Sequence, residues 1–513
     1  MPRNPRPEPG YMTVGFSGFA SGKAVKLAQL RQSRFRGMNS HMNPSCWFLS
    51  VLLAVVVPAA SGASLHASSP PNILFVIADD LGYGDLSCYG QKHFQTPNLD
   101  GLARQGIRFT DHYAGATVCA PSRCSLMTGK DSGHSHIRGN GPFGLRPDPE
   151  DLTVATLLKQ HGYSTGLIGK SCVTGNIQSP ETLAAKGFGY FYGTTEHKDG
   201  HFRFPMFVYE NDKRIELTGN SLHAGPHYDL DLYTRKAEDF IGRQSQQPFF
   251  LLLSYPAPHA SLAAPENSLV KVRRGIQKEV SYKADSGHYG KVNEVKATYA
   301  AMVTRIDDAI GSLIAVLKRK GMDENTLIVF TSDNGSHVEG GYHYSMLQSN
   351  GMLRGGKRDL YEGGIRIPFI ARWPKGIPGG RTTAHPSAFW DFLPTACELA
   401  GITPPTGIQG ISYAPTLLGK NDQQSVHESL YWEFHELQGR RALRMGDWKL
   451  VQYGLKPGSF GNPELYHLAT DPSETENLAT REPALLKRLL TRINRSHTPS
   501  RAFPLPGLDA LTN

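Results

Sequence analysis

Two short apolar runs, 249–254 and 327–330, bracket a stretch in which Tyr299, Val303, Ile306, Ile310, Leu313 and Leu317 recur at alternating steps of four and three. That spacing draws one apolar stripe along a helix. The runs themselves are almost free of polar residues, as strands covered on both faces are. A helix between two such strands constrains the chain to an α/β domain with a largely parallel sheet. A third apolar run, 72–78, follows Pro70-Pro71 and reads as another buried strand. Helices are expected over about 97–105 and 154–161. Beyond about residue 420 the pattern changes: 430–434, 448–453 and 464–467 read as short aromatic strands, with a helix near 483–493. These predict a small C-terminal domain with an antiparallel sheet. The expected division is an N-terminal extension and leader over 1–66, the main domain over 67–420 and the C-terminal subdomain over 421–513. No internal repeat is visible.

Near its start the chain carries an apolar segment, 46–57, broken only by Ser50. It is short for a membrane span, a retained membrane anchor being the alternative to a cleaved leader. Arg34, Arg36 and His41 precede it and Ala59, Ala60, Ser61, Gly62 and Ala63 follow, which is the layout of a secretory signal peptide. Such a leader begins near its initiator, so Met38 or Met42 is the expected start. The protein is therefore expected to be exported, periplasmic or secreted, with no stable membrane span. The net charge of +9 is concentrated in residues 1–42, whose seven Lys and Arg and one acid, Glu8, account for +6. The remaining +3 gives no case for nucleic-acid binding. Behind the leader Cys88, Cys119, Cys124, Cys172 and Cys397 fit neither a zinc pattern nor a disulfide scaffold.

Two acidic pairs sit directly after expected strands: Asp79-Asp80 and, in Thr-Ser-Asp-Asn-Gly, Asp333-Asn334. Ligands of open α/β sheets bind beyond the carboxyl ends of the strands. Four side-chain oxygens from two such ends suit one hard cation, calcium or magnesium, although a helix cap or a turn explains either pair alone. In Val118-Cys-Ala-Pro-Ser-Arg-Cys-Ser-Leu-Met-Thr-Gly-Lys130, Pro121 suits the first turn of a helix. Cys119 then lies at a helix N-terminus, where free N–H groups favour an anion, and Arg123 adds a planar fork of donors one turn on. This is an anion site with a candidate nucleophile, or a buried structural cysteine before a capped helix.

Cys119-Ala-Pro-Ser-Arg123 followed by Leu126-Met-Thr-Gly129 resembles the signature of the type I sulfatases, in the arylsulfatase A-like branch. Ala78-Asp-Asp-Leu-Gly-Tyr-Gly-Asp85, Gly162-Tyr-Ser-Thr165 with Gly169-Lys170, Pro258-His259, Gly356-Lys357 with Glu362-Gly-Gly-Ile-Arg366, and Gly446-Asp-Trp-Lys449 follow in the family's order. The resemblance implies an alkaline-phosphatase-like α/β fold: a large mixed sheet flanked by helices, with a smaller antiparallel-sheet domain. It implies that a maturation enzyme oxidises Cys119 to formylglycine. Asp79, Asp80, Asp333 and Asn334, with the modified Cys119, would hold one calcium ion. Arg123, Lys170 and Lys357 would surround a sulfate, and His259 would protonate the leaving oxygen of a sulfated carbohydrate or aryl sulfate.

One position departs from the pattern. Where the family reads Gly-Lys-Trp-His-Leu-Gly, this chain reads Gly169-Lys-Ser-Cys-Val-Thr-Gly175, with Cys172 in place of a histidine that contacts the formylglycine hydroxyl. A neutral thiol is a poor base beside an imidazole, so a histidine from another loop is expected to serve. A degenerate sulfatase that only binds sulfated glycans is the non-enzymatic alternative. A phosphatase or phosphodiesterase with Ser or Thr as nucleophile and two metals is the other, against which Cys119 and Asn334 argue. His134, His136, Arg138 and Asn140 read either as a substrate subsite or as a solvated polar loop.

Overall fold

The computed structural model describes residues 69–141, 143–171, 181–196, 198–284, 289–456 and 460–509. The expected leader and Cys172 lie outside the described residues. The described residues, from 69 onward, form one compact unit. Its main sheet contains β1 (Asn72–Asp79), β2 (Ile107–Tyr113), β3 (Ser164–Lys170), β4 (Tyr190–Thr194), β5 (Phe207–Glu210), β6 (Lys213–Glu216), β7 (Phe249–Pro258), β8 (Thr326–Ser332), β9 (Arg366–Arg372), β10 (Arg381–Thr383) and β11 (Ser387–Ala388). The spatial order is β10-β2-β9-β8-β1-β7-β3-β4-β5-β6, with β11 also on β2. The central strands β8, β1, β7, β3 and β4 run parallel. Because β9 opposes both β8 and β2, and β5 opposes β4, the sheet is mixed.

The apolar runs fill both faces of this sheet. Along β1, Leu74, Val76 and Ala78 enter the core under the helices Asp229–Arg243 and Val295–Arg319. Ile73, Phe75 and Ile77 enter the other core, with the helices Cys119–Thr128, Val154–Gln160 and Phe392–Ala400. A strand buried on both sides has no polar alternation to show, which is why its sequence is continuous. The expected stripe from Tyr299 to Leu317 lies wholly in the first core.

The smaller sheet is antiparallel: β12 (Leu430–Phe434), β13 (Arg440–Met445), β14 (Trp448–Tyr453) and β15 (Glu464–His467) in sequence order. One face, through Leu430, Trp432, Ala442 and Val451, packs with Tyr113 and Ile365 of the main sheet region. Leu443, Leu450 and Leu465 on the other receive Leu489 and Ile493 of the helix Pro483–Arg495.

Buried charges close the joint between the sheets. Glu362 accepts hydrogen bonds from Lys449 Nζ at 2.8 Å and Tyr113 Oη at 2.7 Å, and pairs with Arg366 at 3.2 Å. Arg444 reaches Asp111 at 2.7 Å, and Lys449 also meets Glu474 at 2.9 Å. Burial works against the charge of Glu362, but Lys449, Arg366 and Arg444 bring its carboxyl down to about 2. Removing one partner of a buried pair leaves the others uncompensated. Glu362→Gln is therefore expected to destabilise the fold by about 3 kcal/mol, read as a lower urea midpoint; an unchanged midpoint would show that the joint does not depend on this charge.

Candidate active site

Strands β8, β1, β7 and β3 are neighbours and parallel, so their carboxyl ends share one edge of the sheet. Asp79 ends β1 and Asp80 follows it; Asp333 and Asn334 follow β8; His259 follows β7; Lys170 ends β3. The helix Cys119–Thr128 points its first residue at the same edge, and the segment between β8 and β9 brings Lys357 over it. The residues expected to hold the cation and to surround the sulfate, with His259, are thus drawn into one buried cluster.

Local features fix these positions. Asp80 has φ of 63°, a left-handed conformation costly for a residue with a Cβ. Its N–H donates to Asp333 Oδ1 at 3.0 Å, so the turn wraps the second acidic pair. Gly169 has φ of +107°, and a Cβ there would lie 2.0 Å from the Ser254 carbonyl oxygen; only glycine lets β3 deliver Lys170 beside β7. Ser122 Oγ donates to the Asp333 carbonyl at 2.5 Å, tying the helix bearing Cys119 to the end of β8.

The charges interlock. Lys170 Nζ donates to Asp79 Oδ2, and Arg123 lies 3.6 Å from the same oxygen. Arg123 Nε donates to Asp333 Oδ2 at 2.8 Å, and its Nη1 reaches Ser254 Oγ. Lys357 Nζ contacts Asp80 Oδ2 at 2.8 Å, His259 Nε2 at 2.9 Å and Glu339 Oε2 at 3.1 Å. Burial opposes the charge on Asp79, but Lys170, Arg123 and Lys357 hold its carboxyl well below the usual carboxylate range. Burial, then the charge of Asp79, pushes Asp333 up to about 7. Burial and the Lys357 ammonium hold His259 well below the usual imidazole value. Its Nδ1 faces the Ala260 carbonyl, so Nδ1 carries the proton and Nε2 accepts from Lys357. Burial pushes the Cys119 thiol up to about 12; as a plain thiol it is a weak nucleophile at neutral pH.

The donor set fits a hard cation. Asp79 Oδ1 and Asn334 Oδ1 are buried and take no hydrogen bond. Asn334 spends its Nδ2 on Asp80 Oδ1, at 2.7 Å, and on the Gly335 carbonyl. Buried acceptors without donors demand an explanation, and a bound ion is one. Ligand atoms of Asp79, Cys119 and Asp333 lie within 4.8 Å of one another.

Several residues at this edge escaped the sequence reading. His337 donates from Nε2 to the Pro258 carbonyl at 3.2 Å, and Glu339 sits between Lys357 and Arg358, 2.6 Å from the latter. His201 stacks on His259 with ring centroids 4.3 Å apart, and Gly200 packs on the Lys170 side chain. His337 stands four residues beyond Asp333 and could have been found by extending that motif; nothing local marks His201 or Glu339. Of the polar loop after the nucleophile segment, His134 pairs with Asp131 at 2.6 Å and Arg138 with Glu433 at 2.8 Å, holding the fold. Asn140 does approach the site, accepting from the Ala120 N–H at 3.3 Å.

The sulfatase family model matches residues 71–402, and the model of the N-sulphoglucosamine sulphohydrolase C-terminal region matches 355–497. Human arylsulfatase A is 32% identical across 82% of this chain and 85% of its own length. An N-acetylgalactosamine-6-O-sulfatase of Bacteroides thetaiotaomicron is 29% identical across 82% of this chain and 92% of its own. The crystal structure of Ps i-CgsB in complex with k-i-k-neocarrahexaose superposes with a TM-score of 0.69 at 28% identity, covering 83% of this chain and 92% of that one. With the expected fold, the order of motifs and these matches in agreement, the chain belongs to the sulfatase family, the enzymes that hydrolyse sulfuric esters.

Proposed function

We propose that this protein removes sulfate from a sulfated glycan outside the cytoplasm, using a formylglycine made from Cys119 and one calcium ion. The observation that carries this reading is the convergence of Cys119, Arg123, Lys170 and Lys357 on a cluster whose buried oxygens Asp79 Oδ1 and Asn334 Oδ1 lack donors. The glycan is supported by the Bacteroides relative named for a sulfated amino sugar and by the neighbour solved with a neocarrahexaose.

In this reading Asp79, Asp80, Asp333 and Asn334, with residue 119, would hold the cation, which would supply positive charge to offset that of the sulfate. Formylglycine, once hydrated, supplies one hydroxyl to displace the alcohol from sulfur and a second whose collapse to the aldehyde expels sulfate. Arg123, Lys170 and Lys357 bind the remaining sulfate oxygens and stabilise their charge in a site closed to water. Lys357 and His259, hydrogen-bonded at 2.9 Å, would pass a proton to the leaving oxygen. His201, stacked on His259 and following Gly200, which packs on Lys170, takes the proton of the second hydroxyl, the task the family gives to a histidine where this chain has Cys172. The two-metal phosphatase reading has a specific obstacle: the Lys357 ammonium fills the space between Asp80 and Glu339 that a second ion would need.

Mass spectrometry of the peptide containing Cys119, from protein made in a host with the maturation enzyme, is expected to show the aldehyde. An unmodified thiol in enzyme that is active would remove the proposed catalyst. Chelation is expected to abolish turnover and calcium to restore it, while Asp333→Ala stays inactive at any calcium level; full activity in the chelated protein would rule the metal site out. His201→Ala is expected to keep a burst of alcohol release but to slow sulfate release by about a hundredfold. Equal loss of both steps would take the base role away from His201.

A further inference from the structure

Arg358 has a geometry that sulfate hydrolysis itself does not use. It follows Lys357 directly, with φ of 77°. A left-handed conformation in a residue with a long side chain is held only where its surroundings over-determine it, and such positions gather at ligand clamps. Here the backbone is tied on both sides. The Arg358 N–H donates to the Thr117 carbonyl at 3.0 Å, two residues before Cys119. Its own carbonyl accepts from Arg440 Nη1 of β13 at 2.6 Å. The strain therefore turns one side chain to a defined place rather than marking a loose loop.

That place is the mouth of the site. Glu339 bridges the two cations, with Oε2 at 3.1 Å from Lys357 Nζ and Oε1 at 2.6 Å from Arg358 Nη1. Side-chain exposure rises along the bridge, from 2% at Lys357 through 14% at Glu339 to 36% at Arg358. A sulfate ester must enter sulfate first to reach Lys357, so the sugar that carries it ends level with Glu339 and Arg358. Glu339 fixes one edge of the guanidinium through Nη1. Among the described residues, Nε and Nη2 make no hydrogen bond, which leaves the second edge of the fork available for a ligand on a side chain that is partly exposed. A planar, pre-oriented pair of N–H donors is matched to an oxyanion, a carboxylate or a sulfate.

Resting on the reading of this site as a glycan sulfatase, we propose that Arg358 is a specificity-determining residue that binds a second anionic group of the substrate. The glycan is then polyanionic: it carries a carboxylate or another sulfate close to the ester that is cleaved. Glu339 acts as a positioning residue, holding the guanidinium while accepting a sugar hydroxyl. An ester with no second charge gains nothing from the arrangement.

The test compares matured wild type, Arg358→Ala and Arg358→Lys on four esters. These are 4-nitrophenyl sulfate, a 6-sulfated N-acetylhexosamine, the same sugar linked to a uronate, and the same sugar with a second sulfate. Arg358→Ala is expected to raise KM at least about tenfold on the doubly anionic compounds and to reduce their kcat/KM advantage over the singly anionic ones. Arg358→Lys should restore part of it, and the larger loss, on the uronate or on the disulfate, names the second group. Equal losses on all four esters would make Arg358 a structural residue, and a wild type without preference for the doubly anionic compounds would overturn the proposal. Inactivity of the matured wild type toward every ester would instead overturn the catalytic reading beneath it.

Discussion

Asp79, Asp80 and Asp333 are buried together, and three carboxylates cannot stay charged out of water unless cations come to them. Much of the molecule follows from that demand. Lys170 arrives on β3, Arg123 on the helix that begins at Cys119, and Lys357 on the segment between β8 and β9. In the proposed reading, the cations that stabilise the acidic cluster are also those that bind the sulfate. Under that reading stability and binding draw on one set of charges, already paired within the fold.

The sheet makes this convergence possible. Neighbouring parallel strands end on the same side, so the residues after β8, β1, β7 and β3 meet without long connections. Glycines then permit approaches that side chains would block: a Cβ on Gly335 would lie 1.8 Å from the Gly363 carbonyl oxygen, where the loop after β8 packs on the segment that carries Glu362. Through Glu362, Lys449 and Glu474 that segment is anchored to the smaller sheet. The C-terminal strands thus bear on the site at a distance, by holding the segment that delivers Lys357 and Arg358.

How much of this was legible depended on burial chemistry. The strands β1, β7 and β8 were readable because both faces are apolar, and β12, β14 and β15 because their aromatic residues are strand formers. β13 was missed. Its Arg440, Arg441 and Arg444 look solvated, yet all three are buried, with Arg444 paired to Asp111, more than three hundred residues away. β2 hides in the same way, since Asp111 and His112 interrupt it and find partners in Arg444 and Ser387. The helix expected to reach His161 stops at Gln160, where His161 instead caps it.

The sequence by itself determined the family and the α/β class, and it singled out the residues that the fold brings to one edge of the sheet, because a motif is a local pattern of residue types and most of these motifs lie within a few positions of a strand end. Only the tertiary structure decided which charges meet. His201, Glu339 and Arg358 carry no local mark, since their significance is a relation to His259, to Lys357 and to one another across the fold. Electrostatic and hydrogen-bond partners act over a few ångströms in space, and separation along the chain does not encode that distance.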